Sequence, residues 1–419
     1  MDKFTITGGK KLSGRIEVEG SKNAALPIIA STILFAKGEI LLENIPPLRD
    51  IYTIKKVLEY IGAAVQYNPD TMIMSIDCSD INNNVAPYEL MRQMRASFLV
   101  LGPLLGRLGE ARVSLPGGCT LGARPVDYHI LGFRNLGAEI TEDSGYVVAR
   151  AKKLQGATIH FDRPSHTGTE NILFGAIFAR GTTRIVNAAC DPEVVNVADF
   201  LNAGGAKIYG AGTSTIEIEG VENLEPVNFR VSGDRLVAGT YMCGAAITGG
   251  SVEVTGISPS NLTMVSRKLY EMGCEIKEED SGVTIKGPKR LNPVKVVTFP
   301  FPGFPTDLQP CIMALAAVAE GTSRIKETVF EDRFSHTMEL RRLGADVNVT
   351  LNEAVVNGVK RLKGASVMAS DIRAGAGLTL ACLAAEGKSE LLRVYHVDRG
   401  YNRLEERLSS LGADIKRVS

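Results

Sequence analysis

"LRRLGADV" occupies residues 340–347: an apolar residue, a glycine four places on, a small residue after it and a β-branched one two further. The pattern reads as a last helical turn stopped by glycine and led straight into a strand, because glycine takes the left-handed conformation that ends helices without steric penalty. It occurs five more times: "LEYIGAAV" at 58, "FRNLGAEI" at 133 (phenylalanine in the first place), "LNAGGAKI" at 201, "LYEMGCEI" at 269 and "LSSLGADI" at 408. The glycines Gly62, Gly137, Gly205, Gly273, Gly344 and Gly412 stand 75, 68, 68, 71 and 68 residues apart. That spacing marks six copies of one supersecondary unit.

Other landmarks keep step. Ahead of each copy an apolar helix ends in glycine and gives way to a strand, as in "LFAKGEILLENI", "AAITGGSVEVTG" and "CLAAEGKSELLRV". After most copies comes a strand-turn-strand such as "VTIKGPKRLNPVKVV". Each unit of about 70 residues is therefore helix, strand, helix, strand, strand, and the class is α/β. The sixth copy stops at Ser419 without its closing strands, and "FTITGGKKLSGRIEVEG" at 4–20 has their pattern. The N-terminus is thus expected to complete the last unit. Two three-unit domains follow, one over 22–229 and the other from 1–21 with 230–419. The crossings near Lys22 and Phe229 are expected to form a hinge beside a ligand cleft.

The 419 residues, 44% of them apolar, are enough for two or three domains. Basic and acidic residues both number 47, so no basic field for nucleic acid or membrane exists and any anion site must be local. The start of the chain has no leader pattern and no apolar run approaches a bilayer's ~20 residues, so a cytoplasmic protein is expected. The seven cysteines have neither zinc-ligand nor redox-pair spacing, and five sit in or beside apolar runs as small buried hydrophobes. Cys119 differs. It lies in "PGGCTLGARP" (116–125), five residues before Arg124, on a loop whose glycines allow motion and close approach to a ligand. Such a thiol is either a nucleophile or proton carrier with lowered pKa, or an incidental loop residue.

The helix starts carry a second signal. In repeat register, "GSKNAALP", "QMRASFLV", "GDRLVAGT" and "SDIRAGAGL" place Lys22, Arg95, Arg235 and Arg373 at one position, while "PTDLQPCI" places Asp307 there. Buried helices converging by their N-termini make an anion site, and first-turn cations oppose the helix dipole, so an anion is expected to compensate them. That anion is taken to be the ligand. Asp307 also reads as a helix N-cap.

The segments "SKNAALP", "MRAS", "PGGCTLGARPVDYH", "GFPTDLQ", "ETVFEDRFSH", "DIRAGAGL" and "YHVDRGY" resemble, in order and spacing and across nearly the whole chain, the bacterial UDP-N-acetylglucosamine enolpyruvyl transferases. The resemblance implies an inside-out α/β barrel in each of two domains, cytoplasmic location, and the first committed step of peptidoglycan synthesis. Phosphoenolpyruvate and UDP-N-acetylglucosamine are the implied partners, with no cofactor and no metal. By motif position Lys22, Arg124 and Arg399 resemble the phosphoenolpyruvate ligands, with Arg95 and Arg373 supporting the same charge. Asp307 resembles the family's candidate general base. Asn23, Arg124, Pro125, Val126, Asp127, Tyr128, Ser165, Val329 and Phe330 resemble the nucleotide-sugar contacts. Cys119 resembles the thiol that acts in proton transfer or product release and that fosfomycin alkylates. Two departures stand out: "PSHTGTEN" puts His166 and Thr167 where valine and glycine are usual, and "DRLVAGT" puts Val237 in place of glutamate. The first leaves open an enolpyruvyl transferase for another UDP-sugar or a secondary metabolite. A catalytically silent UDP-sugar-binding paralogue is the other alternative, and the presence of Cys119, Asp307 and Lys22 weighs against it.

Overall fold

The computed structural model describes residues 2–92, 94–115 and 126–419, with the side chains of Arg95 and Ser97 outside the description. The chain packs as two compact units, one of Met1–Glu19 with Gly233–Ser419, the other running between Gly20 and Ser232. Each has its own hydrophobic core. The chain is an α/β protein of repeated units, with six four-stranded sheets among the described residues.

All six repeat glycines have positive φ, from 88° at Gly137 and Gly344 to 110° at Gly62. This is the backbone that a side chain would strain, and it explains why the repeat is legible at glycine. A core helix in each repeat is buried almost all round. In Arg235–Thr248 every residue from Leu236 to Ile247 except Val237 is buried. Such a helix cannot face solvent on any side and must be enclosed by the sheets of its unit. The helices approach closely through glycine: a Cβ on Gly102 would lie 2.3 Å from the carbonyl oxygen of Asn171, and one on Gly377 2.6 Å from that of Pro310.

Each repeat has six elements, not five: the strand after the repeat glycine is followed by both strands of the strand-turn-strand, and the second of these, a short one, leaves its own sheet and pairs in parallel with the next. Between Gly20 and Ser232, Val85–Ala86 joins Glu110–Ser114, Thr158–His160 joins Thr182–Val186, and Asn228–Arg230 returns to Glu39–Glu43. The exchange closes a ring of three sheets. In the other unit Lys295–Val297 joins Thr322–Lys326, Ser366–Met368 joins Lys388–Leu392, and the N-terminal Ser13–Glu17 joins Ser251–Thr255. Lys3–Thr7 runs antiparallel between Lys388–Leu392 and Asp414–Val418. The N-terminal segment therefore supplies strands to two sheets of that unit. Among the described residues no helix is long and apolar enough to cross a membrane.

Candidate functional site

In the unit formed by Gly233–Ser419 with the N-terminal strands, polar side chains gather where the core helices begin. Asp234 caps Arg235–Thr248 by accepting from the amides of Leu236 and Val237 at 2.8 and 3.1 Å. Asp371 caps Ile372–Ala384 through Arg373 and Ala374 at 2.9 and 3.0 Å. The acidic caps take up the first-turn amides, so a cation in the next position is tolerated. Arg235 lies with its guanidinium 5.4 Å from the Phe301 ring.

Asp307 is not a helix cap. It sits inside the short 3-10 turn Thr306–Leu308, and the helix Gln309–Ala316 that follows has no side-chain cap. Instead its Oδ1 accepts from Arg333 Nη2 and its Oδ2 from Arg373 Nε, both at 3.0 Å. Arg373 is buried and lies 5.4 Å from the Tyr401 ring, whose hydroxyl shares a 2.9 Å hydrogen bond with Thr240. Burial opposes the charge of Arg373, but Tyr401 and Asp307 more than offset it and its pKa rises; burial also pushes the Tyr401 phenol up. Val329 and Phe330 donate their amides to Oε1 of buried Glu327, at 2.8 and 3.1 Å. Glu327 also accepts from Thr298 and Thr306, so it fixes this loop beside Asp307. Arg399 closes the 3-10 helix Val394–Arg399.

His336, buried next to this cluster, donates from Nδ1 to the Arg333 carbonyl at 3.1 Å. Its Nε2 is buried with no hydrogen-bond partner among the described residues. A proton there would be a buried, unsatisfied charge. Burial pushes the pKa down to about 4, with Asp371 opposing and Arg333 assisting. The unfolded chain takes this proton near 6.5 and the folded chain does not, so the stability from a neutral His336 is present above 6.5 and lost as pH falls toward 4. The free energy of unfolding should drop by about 3 kcal/mol across that window through this residue. Urea unfolding at both ends should show a smaller drop for His336→Asn; an equal drop would assign the acid sensitivity elsewhere.

In the unit between Gly20 and Ser232, Lys22 begins the helix Lys22–Ser31, whose cap Ser21 accepts from the Ala24 amide. Lys22 is 8% exposed, and its Nζ lies 3.3 Å from Oδ2 of Asp50, itself 4% exposed in the first turn of Arg49–Ile61. Asn23, the next residue, is half-buried. Arg95 begins the 3-10 helix Arg95–Val100. Val126 precedes the helix Asp127–Asn135, and the Tyr128 ring packs 5.0 Å from Phe161. Ser165 caps His166–Ala176 by accepting from Gly168, and Thr167 meets His129 of the 127–135 helix at 3.4 Å. Val126, Asp127, Tyr128 and Ser165 thus share one region of this unit. Cys119, Arg124 and Pro125 lie outside the described residues.

The compensating anion expected at the first-turn cations is, for two of them, supplied by the protein: Asp50 for Lys22 and Asp307 for Arg373. The reason is general, since a buried charge is retained only when paired. His166 is held between two carboxylates. Its Nε2 is 3.1 Å from Glu170 and its Nδ1 3.7 Å from Asp191. Burial works against its charge, yet Glu170 and Asp191 prevail and hold its pKa well above 6.5. His166, Asp191 and Glu193 bring one ligand atom each within 4.8 Å of the others, so these are residues that could hold a cation, in competition with the proton on His166. Five of the six described cysteines are buried, and burial raises the pKa of every one of the six. The five buried ones are shielded thiols with little thiolate character.

The EPSP synthase family, 3-phosphoshikimate 1-carboxyvinyltransferase, matches residues 6–408. A UDP-N-acetylglucosamine 1-carboxyvinyltransferase of Trichlorobacter lovleyi is 52% identical over 420 residues, covering all of both chains. One of Geobacter metallireducens is 52% identical over 418 residues, again covering all of both. Among solved structures, the enolpyruvyl transferase NikO from Streptomyces tendae superposes with a TM-score of 0.89 at 26% identity, covering 100% of this chain and 99% of that one. An EPSP synthase from Acinetobacter baumannii, at 20% identity and a TM-score of 0.79 over the whole of both chains, shares the fold.

Proposed function

From its membership of the EPSP synthase family, to which the chain belongs over nearly its whole length, we propose the following working of its residues. The protein is an enolpyruvyl transferase that moves the enolpyruvyl group of phosphoenolpyruvate to the 3-hydroxyl of UDP-N-acetylglucosamine and releases phosphate, in peptidoglycan synthesis. The observation that carries this is the identity of 52% along the full length to a UDP-N-acetylglucosamine 1-carboxyvinyltransferase. A cytoplasmic setting fits these substrates.

In the addition step the sugar 3-oxygen bonds to C2 of phosphoenolpyruvate while C3 gains a proton and the hydroxyl loses its own. In the elimination step the C2–O bond to phosphate breaks as C3 gives up a proton. Asp307 is assigned the hydroxyl proton, because a partly exposed carboxylate at this motif position can accept a proton from a hydroxyl. Lys22, Arg124 and Arg399 bind phosphoenolpyruvate, supported by Arg95 and Arg373, since guanidinium and ammonium groups stabilise charge moving onto departing phosphate. Asn23, the 124–128 segment, Ser165, Val329 and Phe330 hold the nucleotide sugar. With their amides on Glu327, Val329 and Phe330 would act through carbonyl and side chain. Cys119 serves proton transfer or product release.

Phosphate release measured with phosphoenolpyruvate and a panel of UDP-sugars tests the function. UDP-N-acetylglucosamine should support turnover at least tenfold faster than UDP-glucose or UDP-N-acetylgalactosamine. Preference for another UDP-sugar would instead give weight to His166 and Thr167 as a changed nucleotide-sugar contact. No phosphate release with any would reject the transferase.

A further inference from the structure

Arg333 is the most deeply buried cation of the Asp307 cluster and carries no role in the scheme above. Its side chain is 1% exposed, that of Arg373 5%, and that of Asp307 26%. Both guanidinium groups are therefore more deeply buried than the carboxylate they hold. They also take different oxygens: Arg333 holds Oδ1 and Arg373 holds Oδ2. One tether would leave the carboxylate free to turn about its last bond, whereas two on opposite oxygens fix its plane.

Each arginine keeps one buried nitrogen without a hydrogen-bond partner among the described residues, Nε of Arg333 and Nη1 of Arg373, but the two are held differently. Arg373 stands in a helix first turn against Tyr401, and its Nη1 is buried with no hydrogen-bond partner among the described residues, so it has capacity for a further anion. Arg333 belongs to the connection between Thr322–Lys326 and Thr337–Arg342, lies 5.7 Å from the Phe330 ring, and has its own carbonyl held by His336. These contacts fix Arg333 on both its backbone and its side chain. The remaining charged or titratable groups around the cluster are Asp234 at the start of one core helix, Cys311 on the second, Asp371 at the start of the third, Glu327 in the adjoining loop, His336 and Tyr401. Arg333 and Arg373 both bond to the Asp307 carboxylate.

We propose that Arg333 is a positioning residue for the reaction: it holds Asp307 in one orientation while Arg373 remains able to turn to a substrate anion. The proposal rests on the assignment of Asp307 as the base. Arg333 acts through Asp307 and does not touch substrate.

The test is a double-mutant cycle in the full chain. Arg333→Met fills the buried space, and Asp307 keeps Arg373 as a partner, so the fold is expected to persist; circular dichroism checks it. kcat should fall about 10- to 100-fold, with KM for both substrates within about threefold of parental. In the Asp307→Asn background Arg333→Met should change the residual rate by less than about twofold, because the group it positions is already gone. A merely structural residue would lower the rate by the same factor in both backgrounds, and that result would overturn the proposal. So would parental kcat in Arg333→Met, or a KM for phosphoenolpyruvate raised tenfold at unchanged kcat, which would make Arg333 a substrate ligand. Should Arg333→Met not fold, Arg333→Lys carries the same cycle: it retains charge without the planar fork and should show a smaller, equally Asp307-dependent loss. If Asp307→Asn alone turns over normally, it is the assignment of the base that fails, a result separable from failure of Arg333.

Discussion

Asp307→Asn is expected to lower kcat about a thousandfold while the dissociation constant for UDP-N-acetylglucosamine stays within about threefold of parental, because the amide keeps the shape of the carboxylate and cannot accept the hydroxyl proton. The structure adds a second consequence. Asp307 is the carboxylate between Arg333 and Arg373, both buried, and removing its charge leaves two interior cations with less compensation. Breaking a buried pair from one side is destabilising by several kcal/mol, and the partial exposure of Asp307 reduces this to on the order of 2–4 kcal/mol. A fall in Tm of roughly 5–10 °C follows for a domain of this size. Calorimetry and titration of the nucleotide sugar on the same preparation separate the two effects. Parental turnover in a variant of lowered Tm would leave Asp307 a purely structural counter-ion.

Lys22→Met should reduce kcat/KM by a factor of about a thousand or more, since an ammonium aimed at a phosphate contributes several kcal/mol to a transition state with charge on the departing group. Loss of activity alone would be ambiguous, because Lys22 also faces Asp50 in a buried setting. The double variant Lys22→Met with Asp50→Asn resolves this. Removing both charges should restore much of the unfolding free energy lost in Lys22→Met, and it should not restore turnover. Recovery of both together would show that Lys22 matters for folding and not for phosphoenolpyruvate.

The repeat was readable because its signal rests on a backbone requirement. Gly62 and its five counterparts occupy a left-handed conformation, so drift in the surrounding side chains leaves the glycine in place. Burial of the core helices was readable for a similar reason, since "YMCGAAI" offers no polar face. The exchanged strands were harder to read. Lys295–Val297 is visible as the second strand of "VTIKGPKRLNPVKVV", but a strand of two or three residues, like Val85–Ala86, carries no period-two pattern to show that its partner lies in the next repeat. The pairing of charges was not legible at all. Asp50 follows Lys22 by 28 residues and Arg333 follows Asp307 by 26, distances with no local periodicity to announce a contact. "ETVFEDRFSH" was visible as a loop motif, but nothing in it separates buried Arg333 from solvated Glu331 or Asp332. Likewise, His166 is legible as a departure from the family, and its partner Asp191 lies beyond the following strand.

The strand exchange also bears on the order in which the chain is made. Lys3–Thr7 emerges from the ribosome well before its two sheet partners, Lys388–Leu392 and Asp414–Val418. At about 5–20 residues per second the nascent segment waits on the order of half a minute for them. During that time the repeats between Gly20 and Ser232 already possess all three of their exchanged strands and can close their own ring. Synthesis thus delivers one finished unit on a tether, while the other stays an open sheet system with unpaired edges until its final strand is released.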